Sequence, residues 1–120
     1  MDYPTLKIIH LTGLALTFMG LSGILGIRMA GGTVPLSRRL IFHLSHGLGL
    51  IILIVTGFAL AADLGLHGAP GWLKGKFVIW LLAGGSMALA TRLSRYAAAI
   101  VIFFIILVAT AAWLAIDKPF

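Results

Sequence analysis

His10, His43, His46 and Lys76 lie within or at the edges of long apolar stretches, where an ionisable side chain is costly to keep and so marks a candidate functional site. A neutral imidazole is a good ligand for haem iron and takes up a proton near neutral pH. A lysine beside the iron supplies charge to a porphyrin carboxylate, or a sixth ligand. His43 and His46 stand three residues apart, so they share a helix face. Arg38 and Arg39 come just before them, where a planar guanidinium could meet propionates or anionic lipid. His67 falls among glycines and a proline and reads as solvated. Each group also has a plainer reading. His10 could hydrogen-bond a neighbouring backbone or hydroxyl group, His43 could be hydrated near headgroups, and Lys76 could snorkel to the surface.

The elements that position these residues are read from composition. The chain has 120 residues, 61% hydrophobic and only 10% charged, with a mean hydropathy of +1.13. Water-soluble domains carry roughly a quarter charged residues, so much of this surface must face lipid. Four apolar runs are each close to the ~20 residues a membrane helix needs. They cover about Leu6–Ile27, Leu40–Ala62, Leu73–Arg92 and Tyr96–Ile116. In hydrocarbon every backbone N–H and C=O needs an internal partner, which makes these runs helices. The links between them are short, and Gly31, Gly32, Pro35, Gly65, Gly68, Pro70 and Gly71 punctuate them. The expected fold is therefore all-α: one domain, an antiparallel up-down bundle of four transmembrane helices.

Charge sets the expected topology. One side receives Arg28, Arg38, Arg39, Arg92 and Arg95 and no acid. The other receives Lys7, Lys74, Lys76 and Lys118 with Asp2, Asp63 and Asp117. Short loops rich in arginine favour the first side as cytoplasmic, with both termini outside, in a bacterial inner membrane. His10 and Lys76 then share the outer leaflet, while His43 and His46 belong to the inner one. At about 1.5 Å rise per residue, His10 and His46 differ in depth by roughly 10–15 Å. Two sites, or one site plus structural histidines, fit better than a single iron held between them.

Other features narrow the function. No room remains for a soluble catalytic domain. Cysteine is absent, which excludes disulfides, iron–sulfur clusters and covalent c-type haem. With only four methionines and no thiolate, the soft ligands that hold Cu(I) are scarce. The net charge of +6 sits at helix ends, so headgroups and topology explain it better than nucleic acid does. No span contains a carboxylate, which argues against an acid-based proton relay or a cation channel. No cleavable signal is evident. Gly13, Gly20, Gly23, Gly26, Gly47, Gly49, Gly57, Gly84 and Gly85 could let helices approach closely or leave room for a flat cofactor.

Three local patterns resemble the HemJ-type protoporphyrinogen oxidase, CopD and SirB-like group of small haem-associated membrane proteins. They are Leu6-Lys7-Ile8-Ile9-His10 with Gly20 and Arg28 following; Arg38-Arg39-Leu40 leading to Thr56-Gly57-Phe58-Ala59-Leu60; and Trp72-Leu73-Lys74-Gly75-Lys76. The chain also resembles a set of small bacterial membrane proteins with His-Gly in the second helix, Pro-Gly-Trp before the third and a Lys-Pro-Phe end, which implies no function. The first resemblance implies a functional pair that maps onto His10 and Lys76. The expectation is a protein that binds b-type haem or a related tetrapyrrole, in electron transfer or tetrapyrrole handling. His10 is then the leading ligand with Lys76 beside it, and His46 a second candidate metal ligand, grouped with His43, Arg38 and Arg39. The alternatives are a non-catalytic accessory subunit of a larger respiratory or photosynthetic membrane complex, packed against other membrane subunits or its own copies, and a protoporphyrinogen oxidase-like enzyme.

Overall fold

The computed structural model describes residues 2–31, 33–65 and 70–119. They form four long helices: α1 (Tyr3–Met29), α2 (Leu36–Asp63), α3 (Gly71–Arg92) and α4 (Ala97–Asp117), with a 3-10 turn at Ser94–Tyr96 before α4. All four are long and apolar enough to cross a membrane. The shortest has 21 residues, about 31 Å at 1.5 Å per residue, enough for a ~30 Å hydrocarbon layer. The molecule measures 49 × 27 × 18 Å.

Two helices start earlier than the apolar runs they contain. Asp2 caps α1: its carboxylate accepts from the Thr5 N–H at 3.1 Å, and Pro4 sits in the first turn, where a missing N–H costs nothing. Hydropathy alone starts this element at Leu6. In α2 the helix begins at Leu36, directly after Pro35, so Arg38 and Arg39 lie in its first turn and not in the preceding loop. Charged side chains disfavour hydrocarbon, not helix, so the helices run on past the apolar windows.

The closest packing joins α1 to α2, and glycine makes it possible. A Cβ on Gly20 would run into the Phe42 carbonyl and sit 2.6 Å from the His46 N; one on Gly13 would sit 2.6 Å from Ile52 Cγ2. Gly49 faces the Thr17 backbone in the same way. The contacts pair 10 with 56, 17 with 46 and 20 with 42, so the sequence runs in opposite directions along the two helices. Gly26, Gly47 and Gly85, in contrast, face open space. The glycines therefore divide into close-packing positions and free ones. α3 lies against α1, and Trp80 Nε1 of α3 donates to the Leu50 carbonyl of α2 at 2.9 Å. α4 follows α3, with Leu114 against Gly75.

The apolar core gathers toward one end. Leu21, Ile24, Leu25, Ala90, Ile100 and Phe104 form it, and Phe18 meets Phe104 edge-on at 5.8 Å. The outside is as apolar as the inside. Leu44, Leu48, Ile51, Val55 and Phe58 recur every three or four residues along α2, and all are exposed. Hydroxyls inside the helices donate to carbonyls one turn back: Thr17 to Gly13, Thr56 to Ile52, Ser86 to Leu82 and Thr110 to Ile106. Their protons are thereby satisfied within each helix.

Candidate functional site

His10 lies half-buried on α1, facing α2. Its Nδ1 is 2.7 Å from Thr56 Oγ1. The Thr56 hydroxyl stands 2.5 Å from the Ile52 carbonyl, a separation two oxygens reach only with a proton between them. A hydroxyl has one proton to give. With that proton on Ile52, Thr56 accepts, and His10 Nδ1–H must donate. Neutral His10 is therefore the Nδ1–H tautomer, with its Nε2 lone pair outside this bond. Fixing the far nitrogen this way is how proteins orient an imidazole ligand. Gly57 lies beneath the ring, where a Cβ would sit 3.7 Å from His10 Cε1.

Lys76, in the second turn of α3, is half-buried at the same end of the molecule. Lys76 and Lys7 are the charged groups whose fields reach His10, and Lys7 and Lys118 are those that reach Lys76. Lys7 lies over the Tyr3 ring at 5.6 Å, and Lys118 over buried Trp72 at 5.4 Å. The structure thus brings His10 and Lys76 to one level, with two further ammonium groups beside them.

His46 is different. It is buried in the α1–α2 seam, and its Nδ1 lies 3.3 Å from the Thr17 carbonyl. A carbonyl only accepts, so Nδ1–H donates here too. The Nε2 is buried with no hydrogen-bond partner among the described residues. Seven residues of α1 separate Thr17 from His10, and ten residues of α2 separate His46 from Thr56. At 1.5 Å per residue the two imidazoles are about 10–15 Å apart along the seam, so they do not meet at one iron.

The second candidate group is dispersed. His43 is half-buried one turn from His46, and Arg38 is exposed. Arg39 turns its Nε to the Val34 carbonyl at 3.0 Å, about 10 Å along α2 from His46. Ser45, which sequence reading passed over, donates to the Leu16 carbonyl at 2.7 Å and fastens the seam beside His46. Thr56 enters the sequence reading only within the Thr56-Gly57-Phe58 pattern and not as a partner of His10; a hydroxyl at the depth of His10 on the neighbouring helix is the signal that would find it. His67 lies outside the described residues. Among the described residues, no three His, Cys, Asp or Glu side chains gather into a metal-holding group.

No protein-family model, curated protein or solved structure matches this chain.

Proposed function

We propose that this chain is an integral membrane protein, an antiparallel up-down bundle of four spans in a bacterial inner membrane, that binds a b-type haem or related tetrapyrrole through His10. The membrane part rests on the apolar outer stripes and on side-chain hydroxyl protons satisfied by backbone carbonyls within each helix, which lipid requires and water does not. The arginine end is cytoplasmic and both termini lie outside.

One observation carries the tetrapyrrole part: the oriented imidazole of His10, with Nδ1–H committed to Thr56 and the Nε2 lone pair available. A single available imidazole nitrogen, with ammonium groups nearby that would neutralise propionate carboxylates, suits this class of ligand. His46 does not serve the same iron, because it lies too far along the seam. Lys76 lies at the level of His10, in keeping with the functional pair that the resemblance to HemJ-type proteins implies. A bound haem supplies one-electron redox chemistry; this chain orients the ligand and neutralises carboxylate charge.

The deciding experiment is an absorption spectrum of protein purified with its lipids. A Soret band that is lost in His10→Asn and kept in His46→Asn supports the reading. The asparagine at 10 keeps a donor for Thr56 but has no Nε2. A spectrum without a Soret band, even after haem is added, ends it. A reporter at the C-terminus that is active in the cytoplasm reverses the topology.

A second reading, an accessory subunit or homo-oligomer, has its own support. Gly47 on α2 and Gly85 on α3 face open space, where another membrane helix could approach closely. Co-purification with large partners, with full function retained in His10→Ala, would favour it. Enzymatic protoporphyrinogen oxidation is the narrower form of the first reading, and failure to complement its loss would count against it.

A further inference from the structure

All five arginines gather at one end of the molecule and all four lysines at the other. The two cations are not equivalent. A guanidinium presents a rigid fork of donors that matches phosphate oxygens in pairs, whereas an ammonium acts as a point charge. The arginine end also holds no acid, because Asp2, Asp63 and Asp117 all lie at the lysine end.

Two adjoining hollows open at the arginine end. One, of about 290 Å3, is lined by Ile27, Arg28, Thr33, Val34 and Arg39. The other, of about 400 Å3, is lined by Arg28, Met29, Ser94, Arg95 and Ala97. They share Arg28 and repeat one composition: two guanidinium groups, one hydroxyl residue and apolar carbon. Each has the room of roughly ten water molecules, enough for a phosphate and part of its hydration. The flanking arginines are positioned. Arg39 is tied by Nε to the Val34 carbonyl at 3.0 Å, and the Arg95 guanidinium lies 4.9 Å from the Tyr96 ring centroid.

Helix stability does not account for this arrangement. Arg28 and Arg92 end helices, where the macrodipole favours a cation. Arg39 is in the first turn of α2 and Arg95 is in the turn entering α4, where the macrodipole opposes one. Topology accounts for cations at this end, but cations held there against the dipole, with no acid at this end to pair with, leave guanidinium donors open to an anion from outside the chain.

The geometry points to a site for two linked phosphates, one in each hollow with Arg28 between them, filled by a phospholipid whose headgroup carries two phosphodiesters, as in diphosphatidylglycerol. Of this apolar lining, Met29 is exposed while Ile27 and Ala97 pack against the core; acyl chains would lie along the exposed apolar helix faces next to Met29. This rests on the membrane part of the function above and not on the tetrapyrrole part. The absorption spectrum of Arg28→Gln therefore separates a failure of this site from a failure of the other.

The test is a titration of the full chain in mild detergent, read by native mass spectrometry. Diphosphatidylglycerol is compared with phosphatidylglycerol at equal phosphate concentration. One diphosphatidylglycerol should bind per chain, at least about tenfold more tightly, since a lost charge-assisted hydrogen bond costs about that much. Arg28→Gln should weaken binding at least about tenfold. Arg39→Gln and Arg95→Gln should each reduce the preference toward that for phosphatidylglycerol. Arg92→Gln, outside both hollows, should leave it unchanged. If Arg28→Gln loses helix by circular dichroism, Arg28→Lys takes its place and should bind with the preference lost. Equal affinity for the two lipids, or wild-type preference in Arg28→Lys, overturns the site. So does a loss in Arg92→Gln matching that in the hollow-lining variants. Displacement of the lipid by inorganic pyrophosphate at similar concentration would make the ligand a free diphosphate and overturn the lipid assignment.

Discussion

The two ends of this bundle are built from different materials. Toward the arginines, beyond His46 and Ser45 on the seam, the interior is carbon: Leu21, Ile24, Leu25, Ala90, Ile100 and Phe104 close around one another. Toward the lysines it holds the His10–Thr56 pair, half-buried Lys76, and Trp72 under Lys118. A single α1–α2 seam runs through both. In lipid the driving force is close fit and hydrogen bonding, because lipid tails are as apolar as leucine. The arginine end is filled mostly with carbon, while the lysine end carries imidazole, hydroxyl and ammonium groups. One half packs carbon across the seam, and the other holds the His10–Thr56 pair and half-buried Lys76.

The harshest way to break this comparison is to part the seam itself. Gly20→Val would drive carbon into the Phe42 carbonyl and the His46 N, backbone atoms that cannot move aside alone. We expect a loss of at least about 3 kcal/mol, read as a fall in the thermal midpoint in detergent, with both ends affected together. Gly47→Ala, facing open space, should change stability in the other direction, by about 0.5–1 kcal/mol from helix propensity. Equal effects of the two substitutions would remove the seam as the organising element.

Phe104→Ala tests the carbon end alone. In a water-soluble core it would cost about 3–5 kcal/mol. In the membrane setting proposed above, the exposed alternative is lipid, so the transfer contribution largely vanishes and lost packing remains. We expect about half that cost, with His10-dependent ligand binding retained. Loss of binding with little loss of stability would show the two ends to be one unit. Thr56→Val tests the polar end in the opposite sense. It should cost only about 1 kcal/mol of stability, yet release the His10 ring and broaden or shift any Soret band that depends on it. An unchanged spectrum would mean that Thr56 does not orient His10.

The sequence makes one part of this division readable and hides another. The long apolar runs point to helices because hydrocarbon leaves the backbone no other partner. The levels of His10 and Lys76 follow from counting residues inward from each end. What pairs with each histidine is not readable, because it depends on the register of α1 against α2. Thr56 is 46 positions from His10, and Thr17 is 29 from His46. The glycines look alike in sequence, and only that register separates Gly20, pressed against backbone, from Gly47, facing open space. The starts of α1 and α2 also escape hydropathy, since Asp2 and Pro35 set them through local geometry outside the apolar windows.

The smallest expected effect lies at the very start of α1, at the polar end but outside its interior. The Asp2 carboxyl is held below its ordinary value of 3.8, chiefly by its side-chain hydrogen bond with Thr5 and then by the Thr5 backbone N–H. A group lowered in the folded state stabilises above its unfolded value, and that contribution is lost as pH falls through the folded value. The cap should therefore hold at neutral pH, begin to weaken near pH 3.8, and disappear below it. The Thr5 amide proton shift, followed by NMR in detergent micelles, should titrate with a midpoint below that value. Asp2→Asn keeps an acceptor for Thr5 and removes the charge, so its Thr5 shift should be flat across the same range. His10 and its ligand should not respond to either change, since the carboxyl is fully exposed and the imidazole is two turns further in. A midpoint at or above 3.8, or a titration that persists in Asp2→Asn, would remove the cap from this account and leave Pro4 to start the helix alone.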